Sequence, residues 1–277
     1  MSMRFITTGI LAIAAVGLAV STAAAQSLER IKQRGTLIVG VKADYKPFGF
    51  RDPQGNIVGF EPDLAKDVAD ALGVKLELVP VVSSNRMQFL QQGKIDLMIA
   101  TMNDTPERQK IVGIIDPDYY ASGVNVFAVK SAKLKKWDDL KGKNICAIQG
   151  AWYNKMIAEK YGAEIVAFKG TAEAETALAQ GNCVGWVYDD TAFYEKLDDK
   201  AKYADYEMPL PSISVAPWGL AVPLEERDKA FGRFMSGMVY EWLKTGRLGE
   251  LEAKWHIPKS EWVVQMHDRL NKPLDMN

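Results

Sequence analysis

Short apolar runs alternate with segments of helical period along this chain, and that alternation leaves few folds open to it. TLIVGV at 36–41 is a continuous apolar run, the pattern of a strand covered on both faces. FEPDLAKDVADALG follows at 60–73, with Leu64, Val68, Ala71 and Leu72 at helical spacing. Pro62 suits its first turn and Gly73 its end. KLELVPV alternates as a strand does, RMQFLQQG reads as a short helix stopped by Gly93, and IDLMIA is another apolar strand. TPERQK opens a helix capped by Thr105, with Pro106 at the first helical position. Strand and helix in this order predict an α/β fold with a mostly parallel sheet flanked by helices.

The rhythm restarts after about residue 125, where VNVFAVK, NICAIQG, EIVAFKG and CVGWVYDD are strand-like. WYNKMIAEKYG and TAEAETALAQG lie between them as helices, each stopped by glycine. A third change comes at APWGLAVP, after which the chain is largely helical to Trp255. Two α/β lobes are expected, with the chain returning to the first near its end.

Residues 1–25 stand apart. MSMRF carries one charge, ITTGILAIAAVGLAV is apolar, and Ala23-Ala24-Ala25 offers a small-residue cleavage site. That order describes a secretory signal peptide, and its apolar stretch falls short of the roughly 20 residues of a spanning helix. The mature chain keeps about 250 residues, enough for two domains with real cores. The 34 basic and 35 acidic residues of the full sequence nearly cancel, so no global field favours nucleic acid or an anionic membrane. Cys146 and Cys183 each edge an apolar run. In an exported chain a disulfide between them is expected, with two buried free thiols as the alternative.

Several chemistries find no support. Both histidines, His256 and His267, lie near the C-terminus, away from any strand-end nucleophile a triad would need. There is no G-x-x-x-x-G-K-[ST] loop, no G-x-G-x-x-G and no H-E-x-x-H. Ligands for zinc are too few, and no cofactor is implied. Carboxylate acid–base catalysis stays open, but a binding protein fits better.

Seven blocks in order then carry a resemblance: VGVKADYKPFGF, GNIVGFEPDLAKDVADALG, LQQGKIDLMIATMNDTPERQK, DPDYYASG, LKGKNICAIQG, ALAQGNCVGWVYDD and WLKTGRLGELEAKW. Together they resemble the periplasmic polar amino-acid-binding proteins that serve ABC importers. The resemblance implies a two-lobed type II periplasmic binding protein fold, monomeric, with ligand in the cleft and closure reporting occupancy to the permease. It places one lobe at 26–121 plus 217–277 and the other at 122–216. Crossovers would run near 119–125 and 214–218.

Site residues follow by position. Arg108 matches the arginine that grips a ligand α-carboxylate, which a planar guanidinium can do with two parallel hydrogen bonds. Ala100, Thr101 and Asn103 lie on the adjoining strand exit, with Asn103 in place of the usual threonine. Asp189 matches the carboxylate that pairs with the α-ammonium, and Asp190 is its local alternative. Gly150, Ala151 and Trp152 replace a common Gly-Thr-Thr run, keeping backbone N–H groups but losing hydroxyls. Tyr45 matches a flanking aromatic.

Ligand choice is read from charge. Lys42 stands where many members have aspartate, and a buried ammonium needs an anionic partner. Asp44 could be that partner within the protein. A second cation, Arg86, with Ser83 three residues before it, resembles the aspartate/glutamate-binding members. An acidic amino acid is therefore expected; another polar amino acid or a small anion is the alternative. An enzymatic rival is a cyclohexadienyl dehydratase using the same cleft, with Glu173 as its candidate acid. A chemoreceptor or adhesin role would leave the site unchanged.

Overall fold

The structure, a computed structural model, describes residues 27–272. The expected signal peptide and its cleavage point at Ala25 lie outside the described residues. The described residues form fourteen strands: β1 (Thr36–Val41), β2 (Asp44–Tyr45), β3 (Gly49–Arg51), β4 (Ile57–Val58), β5 (Lys75–Pro80), β6 (Leu97–Met98) and β7 (Gly113–Ile114) come first. β8 (Tyr120–Val129), β9 (Asn144–Ile148), β10 (Glu164–Phe168), β11 (Gly185–Asp189), β12 (Tyr206–Glu207), β13 (Ile213–Trp218) and β14 (Ala221–Val222) follow.

One large sheet has the order β5-β1-β6-β14-β7 and the other β10-β9-β11-β8-β12, with β13 added on β8; β2-β3-β4 form a small third sheet. Each has the parallel centre that the alternating sequence requires: β1 runs parallel to β5 and β6, and β9 to β10 and β11. Antiparallel strands extend both sheets. They are the segments by which the chain passes from one sheet to the other and returns: β8 pairs antiparallel with β11, β12 and β13, and β14 with β6 and β7.

Side-chain alternation explains how the first sheet is covered. Leu37, Val39 and Val41 turn to one face, where α1 (Phe60–Leu72) supplies Leu64, Ala65 and Val68. On the other face Val81, Leu90, Ile95 and Met98 form a smaller core. In the second sheet Cys146 and Cys183 are buried and joined by a disulfide. They tie β9 to the approach to β11.

The two crossings lie side by side. Trp218 pairs with Tyr120, Pro217 with Ala121 and Ala216 with Ser122, in the two segments expected to be crossovers. An aromatic cluster packs this ribbon onto the first lobe, with Phe48 4.9 Å from Trp218 and 5.2 Å from Tyr120 between ring centroids. A buried carboxylate, Glu252, accepts the Tyr120 hydroxyl at 2.9 Å and anchors the start of the ribbon.

Candidate ligand-binding site

Parallel strands deliver their C-terminal ends to the same side of a sheet, where ligand sites of open α/β folds form. Here the ends of β1, β5, β6, β9 and β11 all discharge into the space between the lobes. β1 delivers Lys42, the turn after β5 delivers Ser83 and Arg86, and the exit of β6 delivers Ala100, Thr101 and Asn103. β11 ends on Asp189. All seven are buried.

Arg86 opens the helix Arg86–Gln91. Its Nη1 donates to the Ala100 carbonyl and, at 3.0 Å, to that of Thr101. Thr101 has φ of 46°, a left-handed conformation that costs a non-glycine residue roughly 1–2 kcal/mol. In that pose its N–H reaches Glu61 Oε1 at 2.6 Å, and Tyr119 donates to the same oxygen. Burial raises Glu61 to about 7, even though Tyr119, Thr101, Arg86 and Lys42 all favour its ionised form.

Lys42 is completely buried, and its Nζ lies 2.9 Å from Asp44 Oδ1. The contact is an ion pair without the direction of a hydrogen bond. Burial lowers the Lys42 pKa, Asp44 opposes that, and the Arg86 charge adds to it. Asp44 is thus the anionic partner of Lys42 within the protein.

Arg108 sits in the single-turn helix Pro106–Gln109, where Thr105 caps its N–H at 3.3 Å. Its guanidinium spans the cleft: Nη1 donates to the Asn103 carbonyl at 2.9 Å, and Nη2 to the Gly150 carbonyl of the other lobe at 3.0 Å. Burial, helped by the neighbouring Arg86 charge, lowers its pKa to about 9, so it remains a cation at neutral pH. The Asn103 amide turns away toward the Ala216 carbonyl at 3.4 Å, on the returning crossover.

Asp189 faces this pair of guanidiniums from the second lobe. It accepts hydroxyls from Tyr153 at 3.2 Å and, across the cleft, from Tyr45 at 3.4 Å. Tyr45 also meets the Thr191 hydroxyl at 2.7 Å. Burial and the adjacent Asp190 raise Asp189 to about 7, with Arg86, Tyr153 and Arg108 opposing. Asp190 points elsewhere and accepts the Gly123 N–H of the crossover at 3.2 Å.

Gly150 has φ of +83°, and a Cβ there would lie 2.8 Å from the Ser83 backbone, so only glycine permits this approach of the lobes. Ala151 and Trp152 are half-buried beside it, the Trp152 ring edge-on to Tyr153 at 5.7 Å. Glu173 is exposed and accepts the Lys169 N–H at 3.0 Å, which is the work of a helix-start glutamate.

Sequence reasoning missed Glu61, Tyr119, Tyr153 and the bridging role of Asp44. A signal for Glu61 existed: positions 61, 64, 65 and 68 form one helical stripe, and the glutamate occupies its buried end.

Residues 37–258 match the bacterial extracellular solute-binding proteins, family 3. The chain belongs to that family. Among curated relatives, the ABC transporter glutamine-binding protein GlnH of Bacillus subtilis is 32% identical over 83% of this chain and 84% of its own. The glutamate/aspartate import solute-binding protein of Salmonella typhimurium is 25% identical over 92% and 89%. Two solved structures share 31% identity and cover 83% of this chain and 99% of theirs. A mutant of ArgBP from T. maritima has a TM-score of 0.75. The ancestral amino acid-binding protein AncCDT-1, a precursor of cyclohexadienyl dehydratase, has one of 0.72. The fold of this solute-binding protein is the two-lobed type II architecture, with both lobes α/β.

Proposed function

We propose that this solute-binding protein takes up an acidic amino acid, glutamate or aspartate, between its lobes and presents it to an ABC-type permease. The lobes that close on it are 26–121 with 217–277, and 122–216. The observation carrying the reading is the charge inventory of the cleft. Arg86 and Arg108 are buried guanidiniums whose protein hydrogen bonds all go to neutral carbonyls. Asp189 is a buried carboxylate whose hydrogen bonds come only from tyrosine hydroxyls. An acidic amino acid brings two carboxylates and one ammonium, the complement of that set. Arg108 takes the α-carboxylate, Asp189 the ammonium and Arg86 the side-chain carboxylate, while the Lys42 charge is taken up by Asp44.

Glutamine is the sharpest competitor, because Glu61 in its ionised form would offset one cation and leave room for a neutral amide. Calorimetric titration with glutamate, aspartate, glutamine, arginine and cystine decides the matter. Glutamate or aspartate should bind at least tenfold more tightly than the rest, about 1.4 kcal/mol. Binding of glutamine or arginine in preference to both acids would overturn the assignment. Export with cleavage after Ala25 is checked by N-terminal sequencing of the secreted chain.

A further inference from the structure

Asp44 makes a three-way connection that ligand binding does not require. It sits in β2, two residues beyond Lys42. Its Oδ1 faces the Lys42 ammonium at 2.9 Å, and its Oδ2 accepts the Thr171 backbone N–H of the other lobe at 3.2 Å. Its backbone carbonyl accepts the Thr171 hydroxyl. Thr171 is the first residue of the nine-residue helix Thr171–Ala179, so the carboxylate also meets the positive end of a helix dipole. The fit is close: a Cβ on Gly170 would lie 3.3 Å from Asp44 Oδ2.

Burial explains why this arrangement holds its shape. Lys42 has no exposed surface, and an ammonium in that position needs a carboxylate beside it. Asp44 is the one it touches, while Glu61 and Arg86 act on it from farther off. With the lobes together, the pair holds the Asp44 carboxylate on the Thr171 N–H.

We infer that Lys42 and Asp44 form a latch on the amino end of the helix Thr171–Ala179, stabilising the closed receptor without choosing its ligand. Asp44 and Thr171 are positioning residues in this scheme. They set how long the closed state lasts, and the choice of amino acid belongs to Arg86, Arg108 and Asp189. The inference deepens the proposed function and rests on it only for the kinetic half of its test.

The test uses Asp44→Asn and, as a milder surface change, Thr171→Val, which removes one hydroxyl and keeps the N–H. Dissociation rates are read by stopped-flow tryptophan fluorescence for the two best-bound amino acids. Small-angle scattering of the ligand-free chain reads the opening of the lobes. Asp44→Asn should speed dissociation of both ligands about tenfold and leave their ratio within about twofold, with a larger radius of gyration. Thr171→Val should move each quantity the same way by less. A ligand ratio that shifts tenfold with unchanged scattering would show Asp44 to be a ligand contact and sink the latch. Unchanged dissociation and scattering in both variants would sink it too. If the parent binds no amino acid, the functional reading fails by itself, and scattering alone still decides the latch.

Discussion

Replacing Gly150 by alanine tests whether the lobes must come as close as they do here. Two costs arise, and they can be measured separately. The first is local: at φ of +83° an L-residue loses roughly 1–2 kcal/mol. That strain is present with the lobes open or closed, and it should lower the ligand-free melting temperature by about 5 °C at this size. The second exists only in the closed state. The new Cβ would meet the Ser83 carbonyl carbon and oxygen at 2.8 Å and Ser84 Cα at 2.9 Å, all backbone atoms with little freedom to yield. Restoring ordinary contact separates the lobes locally, and the 3.0 Å bond from Arg108 to the Gly150 carbonyl stretches beyond useful range. A charged hydrogen bond of this kind is worth about 1.5–3 kcal/mol, so affinity should fall about 10- to 150-fold. Calorimetry with the preferred amino acid gives the second number and thermal denaturation without ligand the first. Binding within about twofold of the parent, alongside the expected loss of stability, would show that this approach of the lobes is not needed for binding.

Other outcomes follow from the same geometry. Arg86→Met should cost acidic ligands at least tenfold and glutamine much less, read by calorimetry, because it removes the cation assigned to the side-chain carboxylate. Arg108→Lys should weaken every amino acid about 10- to 100-fold, since one ammonium cannot span the Asn103 and Gly150 carbonyls and a ligand carboxylate together. Burial raises Asp189 and Glu61 to about 7, so between their unfolded values and pH 7 the native state holds more protons than the unfolded one. Stability of the ligand-free protein therefore falls as pH rises through that window, and denaturation midpoints from pH 4 to 8 check it. An ammonium needs Asp189 ionised, so affinity should rise through pH 7 with proton release, visible as buffer-dependent binding enthalpy at pH 6. The disulfide closes a loop with a sequence separation of 37. Loop entropy alone predicts that its removal by Cys146→Ala with Cys183→Ala costs about 4 kcal/mol, a fall of roughly 10 °C in melting temperature.

The helices and strands of the parallel centres were legible because each rests on a local pattern. TLIVGV and NICAIQG are covered on both faces, and Gly73 and Gly162 end their helices in the left-handed conformation expected of glycine. Lengths were less legible. IDLMIA reads as a full strand, yet only Leu97–Met98 pairs as one, because the chain must turn at Thr101 to present its N–H to Glu61. Which oppositely charged groups would meet was hidden altogether. Asp44 and Thr171 are 127 residues apart, and nothing local to either announces the other. Glu61 was hidden for a different reason: an acidic residue in a helix's first turn is normally a solvated dipole partner, and only the stripe it shares with Leu64 and Val68 betrays its burial.

The paired crossovers carry a mechanical consequence. A single connecting strand would let the lobes swivel, slide and twist about one another. Two strands hydrogen-bonded from Trp218–Tyr120 to Ala216–Ser122 behave as a leaf spring: stiff to shear in their own plane, compliant to bending across it. The Glu252 carboxylate clamps one end at Tyr120, and the Asp190 carboxylate grips Gly123 just beyond the other. Bending across the ribbon is then the softest relative movement the two lobes have, so the distance between their outer faces follows a single variable.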